Sequence, residues 1–498
     1  MKNHYLFACI LSLSTVFGGV AKAEFDFNET VVKAYHAALS LRLAETKALT
    51  AAEHIAHRNN LAADYVDDYV DFFKIFINEE EAEYERLAAN KDYRLQRITK
   101  EGDANSPYFL FVQAQIHLHW AIVKVKFEEY VGAALEIKKA YSLLEENQRK
   151  FPSFVANKGS LGCLHAVVGT IPDDFKWGAN LIGMKGSIAQ GQREVEEVLQ
   201  YAKKHDDFLF EEETIVMYSF LLLHLGNAGD EAWQRIRTPK LNHTTNPLAC
   251  FVQANIAMHT AHTDDAIKIL QNRPKSAAYL PFHYLDFMLG IAKLERGDTD
   301  ADVFLQNYVR QFKGRHYIKE CYQKLAWSAL LNGNLAGYKA NLALCKNSGR
   351  ASQEADKKAL KDAKSTIIPN LALLRARLYC DGGYFLKAKA YLTSYAEKSF
   401  GTPAEKLEYN YRLGRIYDKL NDTPRAVEFY RYTIEQGKNE TAYFACNAAL
   451  QLGLLYENNN DTANARTYYS LCLSLSPADY KDSLHQKAKA GLQRLKRR

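Results

Sequence analysis

Two stretches near the C-terminal end follow one pattern. LGRIYDKLNDTPRAVEFY (413–430) and LGLLYENNNDTANARTYY (452–469) match at Leu413 and Leu452, Gly414 and Gly453, Tyr417 and Tyr456, Asn421 and Asn460, Ala426 and Ala465, and Tyr430 and Tyr469, a step of 39 residues. A unit of that length cannot bury its own hydrophobic face, so it must stack on copies of itself. A small residue in the first half and an alanine in the second let two short antiparallel helices approach closely. The tyrosines then fill the gap between neighbouring pairs. A chain of 498 residues has room for two or three ordinary domains or for one long solenoid, and the repeats favour the solenoid.

The spelling resembles the tetratricopeptide repeat (TPR), with a step longer than the usual ~34 residues. The expected fold is all-α, a TPR-type α-solenoid of antiparallel helical hairpins. Composition agrees, with 47% hydrophobic and 24% charged residues, which is ordinary globular usage. Only 11 prolines are present, and Pro107, Pro152, Pro172, Pro247, Pro281, Pro369, Pro403 and Pro477 fall between helical patterns.

The N-terminus reads as a secretory signal over 1–23, with Lys2, an apolar Leu6 to Val20 core and an Ala21-Lys22-Ala23 cleavage site, so that the mature chain begins near Glu24. Beyond it no apolar run reaches the ~18 residues of a membrane span, and Thr214 to Leu225 reads as a buried helix. Losing Lys2 and Lys22 takes the net charge from +6 to +4, with both signs interspersed, which argues against a nucleic-acid partner. Seven cysteines remain: Cys163, Cys250, Cys321, Cys345, Cys380, Cys446 and Cys472. Their odd number, the lack of a CxxC pair and their apolar helical settings read as small core residues rather than a disulfide framework.

Residues 24–192 read as an N-terminal helical region, with two or three helices up to residue 100 and a long apolar helix after Ser106 paired with an amphipathic one. It closes on a glycine-rich elbow, 159–191, that holds seven of the 26 glycines (159, 162, 169, 178, 183, 186, 191) together with Pro172 and Trp177. Glycine at this density permits close backbone approach, and the stretch contains neither GxxxxGK[ST] nor GxGxxG. Residues 193–366 read as degenerate TPR-like hairpins, ending in a polar loop and an exposed helix over 345–365. Residues 367–498 hold the clear repeats and a charged capping helix from about Ser483 to Arg497.

Three segments carry a narrower resemblance: AQIHLHWAIVKVKF, LEIKKAYSLLEE and GSLGCLHAVVGTIPDDFKWGANLIGMKGSIAQGQRE. Over roughly 105–475 the chain resembles the tetratricopeptide-repeat proteins related to the inclusion-body clearance protein and its repeat-39-like counterparts. That resemblance implies an all-helical fold with adaptor-like roles and no established catalytic centre. It transfers no functional residues. The exportable N-terminus departs from it and points to the periplasm, or to peripheral outer-membrane association, in a Gram-negative bacterium.

No catalytic or metal constellation stands out. His54 with His57, and His259 with His262, are pairs without a third ligand. Cys163 and His165 are two apart and diverge on a helix. We therefore expect a non-catalytic scaffold with no cofactor and no metal, holding a protein or peptide partner on its concave face. In a TPR that face is lined by the first helix of each unit, here by Asn370, Arg377, Asp381, Tyr411, Arg415, Lys419, Asn447 and Glu457. Their mixed polarity suits an extended peptide. The alternative is a carbohydrate- or nutrient-binding outer-membrane protein with TPR helices, using tyrosines as stacking platforms. Most of those tyrosines, such as Tyr417, Tyr430, Tyr456 and Tyr469, fall at repeat core positions.

Overall fold

A computed structural model describes residues 23–170 and 183–495. Residues 1–22 of the expected signal segment and the elbow residues Pro172, Trp177 and Gly178 lie outside the described residues. The described residues form twenty-four α-helices and no strand. The first eight are α1 (Glu29–Leu39), α2 (Leu43–Ala56), α3 (Ala62–Asn78), α4 (Glu81–Glu101), α5 (Pro107–Lys126), α6 (Tyr130–Lys150), α7 (Ala156–Val168) and α8 (Ile188–Ala202). Then come α9 (Glu211–Leu221), which runs on as a wider π-turn over Leu222–Gly226, α10 (Gly229–Ile236), α11 (Pro247–His259), α12 (Thr263–Gln271), α13 (Tyr284–Arg296), α14 (Ala301–Gln311), α15 (Ile318–Leu331), α16 (Leu335–Asn347) and α17 (Glu354–Lys364). The last seven are α18 (Leu371–Asp381), α19 (Phe385–Leu392), α20 (Pro403–Lys419), α21 (Thr423–Gly437), α22 (Phe444–Asn458), α23 (Thr462–Ser474) and α24 (Lys481–Leu495).

The repeats fold as hairpins for reasons visible in the shared spelling. Asn421 and Asn460 adopt φ 60°, a left-handed turn that asparagine tolerates, and so end α20 and α22 sharply. The aspartates that follow, Asp422 and Asp461, accept from the backbone N–H of Arg425 (3.4 Å) and Asn464 (3.0 Å), starting α21 and α23. Within the second hairpin a Cβ on Gly453 would lie 2.5 Å from the Tyr469 ring. Only hydrogen fits there, and the tyrosine takes the space. The 39-residue step follows from long helices, 17 residues in α20 and 15 in α21.

The solenoid coils until distant turns touch. The Leu280 N–H donates to the Leu41 carbonyl (2.8 Å), Arg350 pairs with Glu81 (2.6 Å) and Lys361 pairs with Asp479 (3.0 Å). Glu79 accepts from the backbone N–H groups of Arg315 (3.2 Å) and His316 (3.0 Å), more than two hundred residues away. Hydrophobic side chains group accordingly into five local cores rather than one, over 23–210, 166–292 with Ala490 of α24, 287–325, 294–378 and 372–495, each overlapping the next.

Two expectations change. The first hundred residues form four helices, not two or three, because the polar α4 is pinned to α3 by Arg94 and Arg97 on Asp71 and Asp64. The helix expected to be exposed, α17, buries one face. Its Asp356 is fully enclosed and caps α15 by accepting from the Tyr317 (2.7 Å) and Glu320 (3.0 Å) N–H groups, and burial pushes its carboxyl up to about 6. The capping helix α24 docks through Arg494, which donates to the Leu225 carbonyl (2.6 Å) of the π-turn, and Asn227 bonds Asn458 (2.9 Å) beside it. At the expected cleavage point the chain is paired with neighbouring segments. Ala23 is 3% exposed, donates to Glu101 O (2.9 Å) and accepts from Asp103 N (3.0 Å), while Glu24 donates to Asn59 O (3.0 Å).

Candidate functional site

The elbow glycines that are described serve close helix packing. A Cβ on Gly191 would come 2.1 Å from the Gly162 carbonyl oxygen, and one on Gly186 would meet the His165 backbone at 2.4 Å. So α7 and α8 touch backbone to backbone. His165 turns to Glu194 (2.6 Å) and Gln190 (3.0 Å), away from a partnership with Cys163, whose thiol burial pushes up to about 12. His54 and His57 likewise face carboxylates, Asp67 (2.9 Å) and Glu53 (3.0 Å). No group of three metal-ligating side chains occurs among the described residues, and no described helix is long and apolar enough to cross a membrane.

The inner-face residues divide into two sets. Five come together where α18, α20 and α22 lie side by side. Arg377 stacks over the Trp327 ring (4.7 Å), which Lys324 also approaches (4.1 Å), and reaches Asp381 (3.5 Å). Asp381 is also 3.9 Å from Arg412. One turn further along α20, Arg415 donates to the Tyr411 hydroxyl (3.3 Å), which also accepts from Asn447 of α22 (2.7 Å). Together they form a continuous polar band across three consecutive hairpins, edged by Tyr443 and Tyr480 stacked edge to face at 5.3 Å.

The other three stand apart. Asn370 caps α18, accepting from Ala372 (3.0 Å) and Leu373 (3.3 Å). Lys419 is exposed beyond the band. Glu457 is 2% exposed and is held by Arg494 through two bonds (2.7 and 2.6 Å), with the Tyr469 hydroxyl donating as a third (2.5 Å). It fastens the cap rather than facing a ligand.

Sequence reasoning missed Arg412. It is 1% exposed, bonded to Glu408 (2.9 Å) and the Tyr443 hydroxyl (3.4 Å), and it shares Asp381 with Arg377. Three guanidiniums therefore meet two carboxylates, Asp381 and Glu408. The Arg415 Nε is buried with no partner among the described residues. Nearby, burial and the Asp381 charge push the Glu295 carboxyl well above its usual range, which weakens it as a counter-charge. The band is cationic in balance and its polar capacity is incompletely satisfied. The helical repeat placed 411, 415 and 419 on one stripe. Only the approach of Tyr443 and Tyr480 shows that 412 borders it.

A second concavity, of about 770 Å³, opens between α4, α5 and α6. Its floor is Glu136, bonded to His117 (2.5 Å), Lys124 (2.7 Å) and Lys91, with Lys100 and Lys139 at the rim. Burial opposes the charge on Glu136, but these three partners outweigh it and hold the carboxyl far below its usual range. No sequence signal joins these residues, because Lys91 and Glu136 lie 45 positions apart. The tyrosines Tyr417, Tyr430 and Tyr469 are buried core, and Tyr456 stacks on Tyr468 at 5.5 Å.

The family model for the tetratricopeptide repeat matches residues 407–431 and 446–479, the segments that contribute α20 to α23. Among curated proteins, no sequence matches the chain. A solved structure described as Naa15/Naa10 bound to HypK-THB aligns over 91% of this chain at 14% identity and a TM-score of 0.24. The chain spans 64% of the length of that structure's chain.

Proposed function

We propose that the protein is a non-catalytic interaction scaffold of the cell envelope, exported by its N-terminal segment, which holds an extended protein segment against the inner face of its C-terminal repeats. The observation that carries this reading is the band of Arg377, Asp381, Arg415 and Asn447 on adjoining first helices, backed by the buried Tyr411, with the Asp381 side chain 37% exposed at its edge. A row of fixed donors crossing several hairpins matches a chain in extended conformation, whose side chains and carbonyls recur at each step. The cationic balance, with Lys419 beyond the band, favours a segment carrying acidic side chains. The narrower kinship to the inclusion-body clearance group, in an exported form that associates peripherally with the outer membrane, belongs to the same reading and rests on the residues quoted for it.

Two measurements test this reading. Fusing residues 1–30 to a periplasm-dependent reporter gives export if the N-terminal reading holds, and a reporter left inside overturns it. Photo-crosslinking from position 419 in the envelope of the host should yield one dominant partner, lost when Arg377, Arg415 and Lys419 are replaced together by alanine. A partner retained by the triple variant removes this band as the binding face.

A further inference from the structure

Six of the seven described cysteines lie fully inside the helical cores, and several of them share one habit: the thiol points at a backbone carbonyl of the neighbouring helix. Cys250 faces Ile269 O (3.7 Å), Cys321 faces Leu305 O (3.2 Å) and Cys345 faces Lys319 O (3.2 Å). In the last repeat Cys446 keeps this habit, facing Cys472 O (3.4 Å), and Cys472 lies 4.0 Å from Leu484 O, but here a second sulfur is also in reach. Cys446 on α22 and Cys472 on α23 face one another, with sulfurs 3.6 Å apart and exposures of 1% and 0%. The small residues Ala445, Ala448, Ala449 and Ala465 bring the two helices close enough for this.

We propose that Cys446 and Cys472 form a disulfide as the chain folds in an oxidising compartment, locking the two helices of the last repeat together; the oxidising compartment rests on the export reading above. A disulfide needs its sulfurs at about 2.05 Å, and a swing of roughly 30° about each χ1 covers most of the difference without moving either helix. What gives way is the weak contact of Cys446 with the Cys472 carbonyl (3.4 Å). The other five cysteines have no second sulfur within contact among the described residues, so the odd count conceals one pair. The pair sits where a lock acts on the assembly: α23 carries Tyr469, whose hydroxyl joins the Glu457 and Arg494 clasp, and Arg494 reaches the carbonyl of Leu225.

The step is thiol exchange with a protein or glutathione disulfide. The Cys446 thiolate attacks one sulfur of that oxidant, forming a mixed disulfide and releasing the oxidant's other sulfur as thiolate. The Cys472 thiolate then attacks Cys446 Sγ, closing the internal bond and releasing the second. Two electrons and the two thiol protons pass to the oxidant, which leaves as two thiols. Both sulfurs are inaccessible in the folded chain, so exchange takes place before α22 and α23 finish packing.

The experiment refolds residues 23–498, which carry the seven cysteines from Cys163 to Cys472, in a glutathione redox buffer, quenches with acid, alkylates in denaturant and maps peptides by mass. The expected result is a single 446–472 linkage with the other five cysteines alkylated, and a melting temperature several degrees above the reduced protein. The Cys446→Ser and Cys472→Ser variants should fold and show no redox-dependent shift. Alkylation of both residues in the oxidised sample, or linkages scattered among all seven, overturns the pair. The same quench on protein taken directly from the host separates the two claims: a pair that closes in the buffer but is reduced in the cell refutes the oxidising compartment and leaves the chemistry standing.

Discussion

The stack formed by α20 to α23 and the stack formed by α3 to α6 are built alike, from antiparallel helices in contact, but they are held together differently. In the C-terminal stack, specificity lies in shape: the rings of Tyr430 and Tyr469 fill hollows left by Gly414 and Gly453. In the N-terminal stack it lies in buried charge. Asp68 is completely enclosed, accepts from Trp120 Nε1 (3.1 Å), meets His119 Nδ1 (2.8 Å) and lies 3.7 Å from Arg94. Glu213 acts in the same way in the adjoining helix layer, accepting from Tyr69 (2.6 Å) and Tyr35. A shape device reads as a repeat in the sequence, because both partners lie within one unit. A charge device does not, since its partners are 26 to 178 residues apart and fall in different helical pairs.

The comparison breaks most visibly at Asp68. Asp68→Ala leaves His119 and Trp120 without their buried acceptor and Arg94 with Asp71 alone, and should cost about 3–5 kcal/mol, the usual loss when one member of a buried ionic group is removed. Urea denaturation checks it. A loss under 1 kcal/mol would show that the N-terminal stack is also held by shape. The described elbow supplies the next largest effect: on Gly191→Ala the new methyl meets the Gly162 carbonyl, a backbone atom that cannot rotate away, so α7 and α8 must separate. The expected loss is about 3 kcal/mol, with greater hydrogen exchange in both helices.

The same contrast explains which features are legible in the sequence. The all-helical hairpin architecture is legible, because small residue, tyrosine, asparagine turn and alanine recur at fixed offsets. Five of the eight inner-face residues come together for the same reason: positions i and i+4 on successive first helices share a stripe. Asn370 and Glu457 satisfy that spacing too, but a helix N-cap claims one and the docked cap claims the other, and neither event leaves a periodic trace. The fourth N-terminal helix, the buried face of α17 and the pairing of Cys446 with Cys472 all depend on contacts between helices that periodicity does not register. A single chain read for its repeats carries no record of those contacts.

Glu79 sharpens the comparison by making charge-based closure respond to pH. Burial alone would raise its carboxyl, but the His316 ring and the Lys126 ammonium outweigh burial and hold it at about 2, below the ordinary 4.5. A depressed carboxyl stabilises the fold fully above the unfolded value and loses that contribution as pH falls toward the folded one. Glu79→Gln should therefore cost about 2 kcal/mol at pH 7 and progressively less between pH 4.5 and pH 2. A variant whose deficit stays constant across that window would assign the clasp to its hydrogen-bonding shape alone.

The smallest effect isolates shape within a single repeat type. A Cβ on Gly414 would meet Tyr430 at 2.7 Å, and one on Gly453 would meet Tyr469 at 2.5 Å, so the two substitutions look equivalent. They differ on the far side of the ring. Tyr469 is also faced by Gly491 of α24, where a Cβ would sit 2.4 Å away, and its hydroxyl is fixed by Glu457, whereas the Tyr430 hydroxyl bonds Asp418 (3.1 Å) within its own hairpin. In Gly414→Ala the ring can tilt, and the ~1 kcal/mol that alanine gains over glycine in a helix offsets the crowding, leaving a change near zero. In Gly453→Ala the ring has nowhere to go, and the net loss should be about 1–2 kcal/mol with weakened protection at Leu225 and Arg494. Equal losses at the two glycines would mean that the cap rests on the repeats without gripping them.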